Sequence, residues 1–123
     1  MNRIDNKNWI AINTSTSAIS GEIKFVDIRV LNGGYYYDLP VELPLGVSVQ
    51  GAFTMKNTCS VSLIMQAKSW FRNPAGQVRG YAETGMGDPI YHPGEWSTAG
   101  TNYALLDMEG TWRLIVELYA EVA

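Results

Sequence analysis

The last thirteen residues of the sequence, 111–123, alternate so regularly that they fix the class of the domain. Trp112, Leu114, Val116, Leu118, Ala120 and Val122 fall on one side, and Thr111, Arg113, Glu117, Tyr119 and Glu121 on the other. A period of two is the signature of a β-strand wetted on one face and dry on the other. A dry face needs a second layer to cover it, so the chain is expected to close a two-layer β-protein.

The same reading carries through the rest of the chain. In Gly21–Gly34 (GEIKFVDIRVLNGG) the apolar positions are Ile23 and Phe25, then Ile28 and Val30. The parity changes between Phe25 and Val26, which a β-bulge would absorb. Asn32-Gly33-Gly34 is a turn signal. In the following DLPVELPLG, Pro40 and Pro44 each remove a ladder donor, so that piece belongs at an edge or between sheets. Val47, Val49, Phe53 and Met55 share a dry face on which Gly51 is the one missing side chain, and Phe53 and Trp112 are expected in the core. Asn57-Thr58 ends that strand. Val61, Leu63, Met65, Ala67 and Phe71 resume the pattern, opposite Ser62, Gln66, Lys68 and Trp70, and Pro74-Ala75-Gly76 then predicts a hairpin turn with 77–84 as the returning arm. The segment 85–102 is too rich in Gly and Pro to be regular throughout. A short strand over 103–106 and a corner at 107–110 precede the last strand.

No stretch keeps a 3.6-residue apolar period between usable caps, so no helix is expected. Turn signals about every ten residues suit a sandwich rather than βαβ units. The expected fold is therefore all-β, a two-layer antiparallel Greek-key β-sandwich of seven or eight strands. At 123 residues and 46% hydrophobic content, one core is the expectation. The domain plan is an N-terminal strand or arm with a Ser/Thr-rich hinge over 1–18, followed by one β-sandwich domain over 19–123.

Two runs resemble immunoglobulin-like sandwiches. Gly51–Gly76 is similar to the paired central strands of fibronectin type III and cell-adhesion-type bacterial domains, where a strand ends in Asn before the next begins. Met108–Tyr119 is similar to the corner and final strands of that superfamily, with Gly110 at the turn and an aromatic two residues on. The resemblance spans about 47–122. It implies an immunoglobulin-like fold and employment as a spacer or adhesion module. Trp112 stands where a corner tyrosine is usual, and Leu114 where antibody domains carry their second cysteine, so Cys59 is not half of an inter-sheet disulfide.

Composition narrows the chemistry. A net charge of −3 with nine scattered Lys and Arg gives no basic field for a phosphate backbone, so no nucleic acid is expected as partner. No segment resembles a signal h-region or the roughly 20 apolar residues of a membrane span, and the expectation is a soluble chain without membrane insertion, as part of a virion or cell surface. His92 is the one histidine and Cys59 the one cysteine. Asp88, His92 and Glu95 fall close together, but Asp88-Pro89 and His92-Pro93 read as turn starts, so no metal site is assigned. Gly85-Met86-Gly87-Asp88-Pro89 lacks the Lys and the helix of a phosphate loop. Cys59 has no neighbouring base to activate it. The expectation is a protein that is not an enzyme and uses no cofactor.

Four Trp and seven Tyr exceed what one small core hides. Tyr35, Tyr36, Tyr37, Tyr91, Trp96 and Tyr103 fall in turns and loops, where an aromatic presents a broad apolar face and a polar tip. They are the expected binding residues. Trp9, Ile10 and Ile12, ahead of the Ser/Thr hinge, are the expected self-association residues, able to add a strand to a neighbour's sheet edge. Two functions follow. The first is a structural or assembly module, forming homo-oligomers or binding another protein in a virion, surface layer or adhesin. The second is a carbohydrate-binding module using the loop aromatics on a glycan.

Overall fold

The computed structural model describes residues 2–5, 21–31, 36–85, 87 and 89–123. Among them the chain is all-β, with no helix. The strands are β1 (Asn2–Asp5), β2 (Gly21–Val30), β3 (Tyr36–Asp38), β4 (Ser48–Asn57), β5 (Leu63–Arg72), β6 (Val78–Thr84), β7 (Ile90–Tyr91), β8 (Trp96–Gly100), β9 (Ala104–Leu105) and β10 (Arg113–Val122). They form two antiparallel sheets. The first runs β1-β10-β5-β6, with β7 continuing beside β5; the second runs β3-β2-β4-β8, with β9 continuing beside β4. Of the N-terminal arm and hinge expected over 1–18, only residues 2–5 are described, and Trp9, Ile10 and Ile12 lie outside the described residues.

One apolar cluster draws on both sheets. Ile23, Ile28, Val49, Phe53 and Met55 come from the second, and Leu63, Met65, Ala67, Phe71, Leu114, Val116, Leu118 and Ala120 from the first. This is the dry side that the alternation in β4, β5 and β10 demanded, and it is compatible with a sandwich. Burying a residue such as Leu118 or Val116 contributes about 1.5–3 kcal/mol. Trp112 is half-buried against the cluster, while Val122 reaches solvent.

Local chemistry explains the turns. In the β5–β6 hairpin, the Asn73 side-chain oxygen accepts from the backbone N–H of Ala75 and Gln77 at 3.0 and 2.9 Å, and Gly76 N–H donates to Asn73 O at 2.8 Å. That is an Asx-stabilised turn around Pro74. The bulge in β2 falls where the parity changed: Lys24 pairs with Thr54 and Asp27 with Ala52, leaving Phe25 and Val26 opposite Phe53. Its consequence for Phe25 differs from expectation. Phe25 takes φ +52° and is 80% exposed, while Val26 turns toward the core. The bulge absorbs the parity change by expelling one side chain from the dry face.

A second bulge lies in β6, where Gly80 and Tyr81 oppose Trp70. Gly80 has φ +66°, and a Cβ there would come within 2.6 Å of Asn102 O, so only glycine fits. Asn102 answers by donating its backbone N–H to Gly80 O at 2.9 Å and its side-chain amide to Tyr81 O at 2.8 Å. The flank where β6 faces the segment after β8 is thereby closed. The segment 85–102, not expected to be regular throughout, supplies the short strands β7 and β8.

Candidate functional site

The residues of β5 and β10 that point away from the core meet in register. Ile115 stands beside Trp70, Glu117 beside Lys68 and Tyr119 beside Gln66. On the other side of β5, Glu83 stands beside Lys68, and the β6 bulge brings Tyr81 to Trp70. Three strands thus present one face carrying three aromatic rings among charged and amide groups.

The rings are held by specific contacts. Trp70 and Tyr81 pack with centroids 5.9 Å apart and planes tilted by 31°. Lys68 places its ammonium 5.1 Å from the centre of the Tyr119 ring, a cation–π distance. Tyr81 donates its hydroxyl to Glu83 at 2.8 Å, and Tyr119 donates to Glu117 at 2.9 Å. The bond to the Glu83 carboxylate, followed by partial desolvation and the charge of Glu83, raises the Tyr81 pKa to about 12. Between Tyr119 and Glu83 lies a depression of about 50 Å³, lined by Gln66, Lys68, Glu83, Thr84 and Tyr119 over Ala67. Half-exposed rings beside amide, carboxylate and ammonium groups can stack on an apolar ring face while exchanging hydrogen bonds with its edge.

Of the aromatics singled out for binding in the sequence, Tyr37, Tyr91, Trp96 and Tyr103 have described side chains, and none of them belongs to this face. Tyr91 is buried, its hydroxyl 2.6 Å from Ser97 Oγ. Tyr37 is half-buried against the core, and Tyr36 enters only as a register position in β3. Trp96 is 63% exposed at the start of β8, and Tyr103 is exposed beyond its end. Tyr35, Trp9, Ile10 and Ile12 lie outside the described residues.

His92 is exposed; its Nδ1 is 2.9 Å from Ser62 Oγ and its Nε2 is 3.9 Å from Glu95. Those contacts pin the 92–95 turn to the start of β5. Asp88 lies outside the described residues, and among those described no three His, Cys, Asp or Glu side chains gather as a metal-binding group. Cys59 is buried, with Sγ donating to Asn57 Oδ1 at 3.0 Å and to Val61 O at 3.2 Å.

The platform residues had a sequence signal. Trp70 and Lys68 sit on the wet parity of β5, and Glu117 and Tyr119 on the wet parity of β10. What the pattern lacked was the register that sets them side by side. Comparison with protein-family models and with curated proteins finds no match for this chain. Among the described residues no helix is long and apolar enough to cross a membrane.

Proposed function

We propose that the chain is a non-catalytic binding module on an immunoglobulin-like, Greek-key β-sandwich, and that the outward face of β10, β5 and β6 binds carbohydrate. The observation that carries this reading is the platform itself: Trp70 packed on Tyr81 and Tyr119 under Lys68, beside a depression edged by Gln66, Glu83 and Thr84. A pyranose has an apolar C–H face and a rim of hydroxyls, and this surface offers a partner to each. The ligand-binding residues are thus Trp70, Tyr81 and Tyr119 rather than the loop aromatics. A glycan array followed by calorimetry tests it. Trp70→Ala and Tyr119→Ala should each weaken binding of the best glycan about tenfold, with Trp96→Ala and Tyr103→Ala as unaffected controls. An array without hits, or equal losses in the controls, overturns the reading.

A second reading, as a self-associating component of a virion, surface layer or adhesin, draws on the sheet edges. Among the described residues the orders end at β1 and β6 in one sheet and at β3 and β8 in the other, and β6 is bonded to Asn102. Exposed Phe25 lies on the strand next to β3. A sedimentation mass that falls when residues 1–17 are deleted supports assembly through that end; an unchanged mass removes it.

A further inference from the structure

A cavity of about 620 Å³ opens between the two sheets at the end away from the Asn57 turn. Ile28 and Val49 line it from one sheet and Phe71 and Leu114 from the other, all four buried. Trp112 and the 39–43 segment line it as well. The volume falls within the roughly 300–1,000 Å³ of small-molecule sites. Among the described residues that line the cavity, Glu42 is the sole ionisable side chain and Thr111 supplies a hydroxyl, while the other side chains are apolar.

The charge pattern selects the ligand. Among the described residues no Lys, Arg or His lines the cavity, so a carboxylate or phosphate would lose its water with no countercharge in return. Trp112 has already committed its Nε1–H to Met108 O at 2.9 Å, which leaves π surface as its offering. Glu42 is exposed, and among the described residues no ion pair engages it. A carboxylate, an indole and a phenyl ring lining one cavity together favour an organic ammonium.

We infer that this cavity binds an organic cation with an apolar body, the body between Val49, Phe71 and Leu114 and the ammonium at Glu42 and Trp112. This site is separate from the aromatic platform and does not rest on the carbohydrate reading. Three probes that share one body test it: 4-phenylbutylammonium, 4-phenylbutanol and 4-phenylbutanoate, each titrated into the isotope-labelled full chain and followed by NMR. The ammonium should shift the Trp112 indole N–H and the Leu114 and Val49 methyls, and bind about tenfold tighter than the other two. Glu42→Gln should bring it down to the level of the alcohol, and Glu42→Lys should transfer the preference to the carboxylate. Equal affinity for all three probes, shifts confined to residues outside the cavity, or an ammonium affinity unchanged in Glu42→Gln would each overturn the inference.

Discussion

Leu114 of β10 occupies the space that a side chain on Gly51 of β4 would need: a Cβ on Gly51 would lie 2.7 Å from Leu114 Cδ1 and 2.8 Å from Cδ2. The gap in the apolar pattern of β4 is therefore a socket for a leucine of the opposite sheet. Gly51→Ala should destabilise the fold by about 1–3 kcal/mol through overpacking, and Leu114→Ala by about 2–5 kcal/mol through a cavity. The double variant should cost less than the sum of the two, as measured by urea denaturation. Strict additivity would show that the two side chains do not compete for one space.

Asn57 is fully buried at the end of β4 and serves three segments. Its amide donates to Val61 O and Tyr91 O at 2.9 and 2.8 Å, and its oxygen accepts from Cys59 N–H at 2.9 Å. Asn57→Ala would remove the side-chain partner of the Tyr91 carbonyl and the Cys59 amide in the interior and should cost about 2–4 kcal/mol. A loss below half of that in thermal or chemical unfolding would mean that water replaces the side chain.

Ser69 presents the opposite case. It is fully buried, and its hydroxyl has no hydrogen-bond partner. Removing an unsatisfied polar atom recovers its desolvation cost, so Ser69→Ala should leave stability unchanged or raise it by about 1 kcal/mol. Clear destabilisation on denaturant titration would reveal a partner for that oxygen.

Phe25 holds a left-handed backbone conformation that costs a bulky residue about 1–2 kcal/mol, and its ring lies in solvent. Phe25→Gly should therefore raise the unfolding free energy by about 1 kcal/mol, net of the entropy that glycine brings to the unfolded chain. If the variant is instead less stable and also lighter in sedimentation, the ring is buried between copies of the chain.

Tyr81 should titrate near pH 12 rather than near 10, because ionising it places a phenolate against the Glu83 carboxylate. The raised folded-state value means that its contribution to stability is complete below pH 10 and is lost as pH climbs toward 12. Glu83→Gln should return the Tyr81 value toward 10, read from the tyrosine ring carbons by NMR. A titration that stays near 12 in that variant would assign the shift to burial rather than to Glu83.

Much of the fold was legible because alternation is a local property. Steric rules place successive side chains on opposite faces of any extended strand, so the dry faces of β4, β5 and β10, the bulge beside Phe25 and the turn at 73–76 could all be read from neighbouring residues. The same locality explains why the exposure of single aromatics was not legible. Loop position marked Tyr91 as available, but Tyr91 joined a strand beside β5 and was covered; Trp70 and Tyr119 looked like isolated members of wet faces.

The sequence by itself therefore determined which side of β4, β5 and β10 is dry, that the chain turns at 73–76 and that two layers must share an interior. Only the tertiary structure decided that Leu114 enters the socket at Gly51, that Trp70, Tyr81 and Tyr119 share one face, and that Glu42 guards an apolar cavity. Those relationships depend on register between strands distant in sequence. Register is set by bulges, turns and packing acting together, and no short window of residues contains it.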